Sequence, residues 1–299
     1  MKQVKILIQL LIHGGMAIKR GITDEQIRIL VADLTNSRIL SVNPMIARTT
    51  IVVPSGQGPG QVRTPRAIAV DRNTGNIFVA DMGNDRIQKF SPTFTFIKEW
   101  GGTGTGNGKF NTCTGIALDS NGNVYVADAR NDRIQKFDNN GVFIDAWGQH
   151  GTGDGEFILP QDVAVESDDD IVVTDGGNSR VQKFKSNSEF IRKWGKTGDE
   201  DGEFIAPIGI AVDPNDDIYV AENHRVQKFN LNGVFIKKWG GGGQFEDVRN
   251  ITYNPLTTNL LVSDKKNGIQ IFTRDGGFVG KVDFGPILRI NKLTITRQK

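Results

Sequence analysis

Along most of the chain, short apolar runs alternate with polar, glycine-bearing breaks. Residues 77–80 (IFVA), 124–127 (VYVA), 171–174 (IVVT) and 218–221 (IYVA) are apolar almost without alternation. That pattern is expected of strands whose sheet is covered on both faces. In the copy around residue 121, GIALD and VYVAD are β-rich runs divided by the turn sequence Ser120-Asn121-Gly122-Asn123. RIQKF and VFIDAW follow, divided by Asp138-Asn139-Asn140-Gly141, where Gly141 can supply the positive φ of a hairpin. Each copy therefore predicts four strands, and no helical period competes.

The unit is repeated. Residues 121–147, NGNVYVADARNDRIQKFDNNGVFIDAW, return in recognisable form after Gly75, Asp169 and Asp216. A first copy opens at residues 27–43 with Asp33 and Arg38 in place of Asp128 and Arg133, and a degenerate sixth begins at Asn250. Arg38, Arg86, Arg133, Arg180 and Arg225 recur about every 45–48 residues, and Gly268 stands where a sixth would fall. Trp100, Trp147, Trp194 and Trp239 keep the same rhythm, with Val282 in the next position. Four-stranded sheets repeated at this period predict an all-β fold, a six-bladed β-propeller of antiparallel blades.

Ring closure is expected from the C-terminus, where Leu293 and Ile295 align with the innermost strand of a blade and no hairpin follows. That strand would complete the first blade, whose orphan hairpin spans residues 29–40. The rival is that residues 21–24 fill the place. Residues 1–15 read as an N-terminal segment, either an edge strand at 4–12 or a remnant signal peptide with a short apolar stretch broken by Gln9. Residues 16–299 read as the propeller.

The pattern V-A-D, a short gap, N-x-R-I-Q-K-F and then G-x-G-E-F-x-x-P resembles the NHL repeat, over about residues 27–299 and specifically in four of the six copies. The resemblance implies a binding propeller. NHL domains serve as protein- or RNA-binding modules of tripartite-motif-type proteins and as extracellular sensor domains of bacterial kinases. A related propeller is the catalytic domain of the peptidylglycine amidating lyase. That chemistry needs a three-histidine zinc site, from which this sequence departs.

Composition narrows this further. The 36 glycines suit a chain of many tight turns, and a formal charge of +2 is too small to argue for nucleic acid by itself. A single cysteine, Cys113, excludes an intrachain disulfide and a cysteine-based zinc site. No apolar run is long enough to span a membrane as a helix. The compartment, cytoplasmic or secreted, stays open, and a monomer is expected.

Residues that look chemical are read as structural where they recur. Asp81 with Arg86, Asp128 with Arg133 and Asp175 with Arg180 flank one tight turn in successive copies. A guanidinium fork there would pair with the carboxylate and with turn carbonyls. Residues 119–123 (DSNGN) look like a calcium loop but sit between strands, and the twelfth position is Arg130 instead of a bidentate Glu. Asp168-Asp169-Asp170 and Asp216-Asp217 occupy the same turn in later copies and are expected to be solvated. The glycine-rich connectors precede strands and carry no G-K-[ST], so a phosphate-loop mechanism fails. His13, His150 and His224 share no repeat position, and no nucleophile–base arrangement emerges. No catalytic residue, resident metal or cofactor is assigned.

The remaining freedom lies where copies differ on one face. The two positions before each innermost strand are expected to rim the channel mouth: Arg66-Ala67, Thr114-Gly115, Gln161-Asp162, Ile208-Gly209, Arg249-Asn250 and Asn291-Lys292. Arg66, Asp162, Arg249, Asn250 and Lys292 are the candidate ligand-binding residues, on an exposed, solvated rim. The function expected is a non-catalytic binding or scaffolding module for a protein or a polar or anionic ligand. One alternative is RNA binding through Arg130, Lys196, Lys265 and Lys266, weakened by the acids Asp154, Glu156, Asp199, Glu200, Asp201 and Glu203 on the same face. Another is a propeller enzyme, lyase or hydrolase, with a central divalent metal.

Overall fold

The second strand of each repeat is buried along its whole length: every residue of Ile77–Asp81, Val124–Asp128, Ile171–Asp175 and Ile218–Glu222 is buried. In the computed structural model, which describes residues 27–34, 36–43, 48–241, 243–255, 257–265, 267–282 and 290–297, these strands pair antiparallel on both sides. The result is six four-stranded sheets. Blades 2 to 6 run in chain order from the axis outwards, over residues 67–101, 113–147, 160–194, 209–240 and 248–282. Their innermost strands, with that of blade 1, neighbour one another in a closed ring. The fold is the six-bladed β-propeller expected from the repeat.

Blade 1 is assembled from both ends of the described chain. Its innermost strand is Ile290–Arg297, which pairs with Ile27–Asp33, followed outwards by Arg38–Asn43 and Arg48–Val53. Val31 lies opposite Leu293 and Ile29 opposite Ile295. This is the closure the C-terminal sequence predicts. The strand Ile27–Asp33 is thereby paired on both of its edges, so the seam does not leave it as an open sheet edge. Residues 1–15 and the rival closing segment at 21–24 lie outside the described residues.

Blades are joined by aromatic plugs. The Phe at the end of the third strand in blades 3 to 5 (Phe137, Phe184, Phe229), and one residue before the end in blade 6 (Phe272), is at most 1% exposed. It meets the connector Phe before its own blade, with centroids 5.7 Å apart for Phe110–Phe137 and 5.4 Å for Phe245–Phe272. It also meets the Trp of the preceding blade, as in Trp100–Phe137 and Trp147–Phe184. Blade 1 has no Trp, since Val53 takes its place opposite Ile39. Blade 2 compensates by carrying Phe94 in its outer turn, packed with Val52 against the same core cluster.

Candidate functional site

The Asp–Arg pairs are clamps on the connectors. Asp81 is fully buried, and its Oδ2 accepts from Arg86 Nε at 2.8 Å, from Asn84 Nδ2 and from Gln88 Nε2. Arg86 Nη2 then donates to the carbonyls of Gly58 and Gln61, and the backbone N–H of Arg63 closes on Asp81 Oδ1. Asp128 with Arg133 and Asp175 with Arg180 repeat this geometry on residues 106–111 and 153–158. The acceptors are carbonyls of the preceding connector, not those of the turn itself. In blade 5 the turn is shorter, and the longer Glu222 reaches Arg225 at 2.7 Å. Burial raises the carboxyl pKa of Asp81 and Asp128, offset in part by these donors. The asparagine and glutamine of the clamp carry a sequence signal, the spacing N-x-R-x-Q at residues 84–88, 131–135 and 178–182.

The axial mouth is where the copies diverge. Ala67, Gly115, Asp162, Gly209 and Asn250 occupy equivalent register positions, opposite Ala80, Ala127, Thr174, Ala221 and Ser263. Lys292 is opposite Ala32 in blade 1; its side chain lies outside the described residues, as does Lys266. Asp162 and Asn250 stand on blades 4 and 6, and the missing side chain of Gly209 on blade 5 lets them meet. Asn250 Nδ2 donates to Asp162 Oδ2 at 2.9 Å. A Cβ at Gly209 would come within 2.9 Å of the Asn250 backbone. Asp162 Oδ1 also accepts from Val163 N–H at 3.0 Å.

The expectation of a solvated rim therefore needs correction at two positions. Asp162 is 2% exposed and Asn250 is 4% exposed. They are buried because neighbouring innermost strands approach closely across glycine. Arg249, at the start of the blade 6 innermost strand, is partly exposed and ion-paired with Asp247 of the preceding connector, which Lys265 also approaches at 3.4 Å. Arg66, on blade 2, is partly buried. Burial lowers its guanidinium pKa, Asp162 opposes that, and the like charge of Arg249 adds to it. Among the described residues the Arg66 side chain has no ion pair or hydrogen bond. Asn250 Oδ1 is buried and has no hydrogen-bond partner among the described residues.

The opposite face holds a second correction. Asp169 and Asp216 do not simply face solvent: each accepts the backbone N–H and hydroxyl of a serine in the preceding blade, Ser120 and Ser167. Asp170 pairs with Lys183 at 3.2 Å and Asp217 with Lys228 at 2.8 Å. Glu166, Asp168 and Asp170 bring their carboxylates together, with the Lys183 ammonium bonded to Glu166 and Asp170. Blade 4 carries Val172 where blades 3 and 5 have Tyr125 and Tyr219. Those tyrosines bond Asp119 and Asp213 and lie under a lysine. The Glu166–Lys183 pair replaces that arrangement. Burial raises the Glu166 carboxyl pKa to about 7.

No helix among the described residues is long and apolar enough to cross a membrane. Residues 63–90, 110–137, 157–184 and 204–229 match the model of the NHL repeat. No curated protein matches the chain. Among solved structures, a protein of unknown function from Bacteroides caccae is similar at 14% identity and TM-score 0.69, over 91% of this chain and 99% of its own. A chain of a nidogen/laminin complex is similar at 15% identity and TM-score 0.68, also over 91% and 99%. Virginiamycin B lyase from Staphylococcus aureus is similar at 14% identity and TM-score 0.62, over 88% and 86%. At these identities the likeness is one of fold alone.

Proposed function

The chain is an NHL-repeat six-bladed β-propeller, and on that premise we propose that it is a binding module recognising a partner with a negatively charged group at the axial mouth of its connector face. The observation that supports this most is Arg66, which immediately precedes the innermost strand of blade 2: it is partly withdrawn from water and has no ion pair among the described residues. An arginine in that setting gains from an incoming carboxylate or phosphate, because its five donors fit such groups bidentately. The recurring Asp–Arg pairs contribute architecture instead, since their hydrogen bonds are consumed in holding connectors. Cations elsewhere on the connector face are largely committed. Lys193, Lys196 and Lys238 pair with Asp154, Glu203 and Asp201, which disfavours an extended RNA track.

The test is charge reversal at the mouth. Once a partner is isolated with the intact chain, its affinity is compared for wild type, for Arg66→Glu and for the opposite-face control Arg72→Glu with Lys185→Glu. Arg249 is left intact because reversing it would also break its pair with Asp247. The expected result is at least a tenfold loss for Arg66→Glu and none for the control, in line with like-charge contact costing about 1–3 kcal/mol or more. Loss confined to the control would place recognition on the other face.

A further inference from the structure

We propose that the connector face over blades 4 and 5 docks a basic protein segment, which lays an apolar side chain there and carries lysine or arginine beside it. The surface is separate from Arg66 and does not depend on it. Its first element is the pair of residues that follows the buried Phe or Val of each connector. Ile158-Leu159 and Ile205-Ala206 fill these places on the connectors into blades 4 and 5, against Arg63-Thr64, Asn111-Thr112 and Glu246-Asp247 on the others. The clamp asks only for the backbone N–H of the first residue, which Ile158 donates to Asp175 at 2.9 Å. Arg63, Asn111 and Glu246 serve it equally well. The fold therefore gives no reason for apolar residues here, yet Leu159 is 43% and Ile205 39% exposed, and Ala206 is exposed with them. Exposed apolar residues gathered in one place, instead of scattered singly, mark an interaction surface.

The turn between the second and third strands of blade 4 brings the two connectors together. A Cβ on Gly176 would lie 3.2 Å from the Leu159 carbonyl oxygen and 3.3 Å from that of Pro207, and one on Gly177 would lie 2.4 Å from Ile158 Cγ2. Blade 3 has Ala129-Arg130 at this turn, with Arg130 exposed. The two glycines instead leave Ile158 against backbone, with Leu159 and Pro207 meeting over the same turn. Charge then selects the partner. Residues 148–160 and 195–208 carry Asp154, Glu156, Asp199, Glu200, Asp201 and Glu203, against Lys196 as their one lysine or arginine. Lys193, Lys196 and Lys238 neutralise Asp154, Glu203 and Asp201. Asp199 and Glu200 have no ion pair among the described residues. Gly198 N–H donates to the Phe204 carbonyl at 3.1 Å, so Asp199 lies alongside the chain leading into Ile205. Apolar contact supplies affinity, while the carboxylates attract a cationic segment and repel phosphates.

The experiment selects peptides from a random-sequence phage library on the intact chain and measures the soluble peptides by fluorescence polarisation. Selected peptides are expected to carry Leu, Ile or Phe next to Lys or Arg. Leu159→Ser with Ile205→Ser should weaken them at least tenfold. Asp199→Asn with Glu200→Gln should weaken them severalfold and flatten the dependence on salt. Arg66→Glu should leave them unchanged. Should the double serine variant melt below wild type, Ile205→Ser alone asks the same question at one exposed position. Selection of acidic or purely polar peptides, selection of none, or binding that survives the serine variants overturns the proposal. Binding lost with Arg66→Glu alone also overturns it, and leaves the axial mouth as the recognition site. Sedimentation velocity covers the remaining occupant: a wild-type dimer that the serine variants dissociate would make this face a contact between copies of the chain, and the proposal would fall.

Discussion

Gly141 of blade 3 lies directly against the Trp100 indole of blade 2, so that a Cβ built on it would sit 2.5 Å from the ring. Gly233 and Gly276 receive Trp194 and Trp239 in the same way. At φ +76°, Gly141 also adopts a conformation that side chains resist. Gly141→Ala should therefore destabilise the protein by about 2–3 kcal/mol, through both strain and overpacking. Gly108→Ala separates the two causes, because Gly108 has φ +77° but nothing within 4 Å of its Cβ position. Thermal melts should show the smaller loss for Gly108→Ala. Equal losses would mean that the indole contact contributes nothing.

What could be read from sequence follows from what repeats. Strand runs, the Arg and Trp rhythm and the unpaired hairpin at the N-terminal end were enough for six blades and their closure, because each is a local pattern copied many times. The clamp was half legible: Asp128 and Arg133 announced a pair, but their connector acceptors are backbone carbonyls and leave no side-chain signature. The mouth was less legible still. Asp162 and Asn250 are 88 residues apart, and only the closeness of adjacent strands across Gly209 buries them. Asp169 looked like a solvated turn because its place at φ +67°, filled in blade 3 by Gly122, hides the serine it reaches in the preceding blade.

Arg133→Ala tests the clamp. It leaves the fully buried Asp128 without its cation and frees residues 106–109, with Arg133 itself only 12% exposed. Breaking a buried pair on one side costs roughly 3–5 kcal/mol. Burial already raises the Asp128 pKa, and loss of Arg133 should raise it further. The stabilising form of such a carboxyl is the protonated one, present at low pH and lost as pH rises. The deficit against wild type in urea melts should therefore narrow from pH 7.5 to 4.5. A deficit of about 0–1 kcal/mol at both pH values would show a solvated pair instead.

Truncation before Asn291 removes nearly all of the strand Ile290–Arg297 and exposes the edge of Ile27–Asp33. It also breaks the ring where that strand lies between the innermost strands of blades 2 and 6. An open edge is a template for other chains, so the shortened protein should aggregate and melt well below the parent. Light scattering and a melt decide this. A monomer with the parental melting temperature would show that ring closure does not depend on this strand.

Glu166→Gln probes the buried pair on the opposite face. Burial is the main cause of the raised Glu166 pKa, about 7 against 4.5 for the free side chain; the Lys183 ammonium offsets it, and Asp168 and Asp216 add to it. Between those two values the folded state binds a proton that the unfolded chain has released. The contribution of this group to stability is thus fully present below about pH 4.5 and falls as pH rises toward 7. Lys183, whose pKa Glu166 and Asp170 raise against the effect of burial, titrates above that window. Glutamine does not titrate, can still accept from Lys183, and leaves the Asp170 pair in place. The stability of Glu166→Gln relative to wild type should therefore increase by up to about 3 kcal/mol from pH 4.5 to 7.5 and be flat above that. Urea midpoints of both proteins across that range measure it. A difference that is constant with pH, or that moves in favour of wild type, would show that Lys183 holds Glu166 ionised throughout.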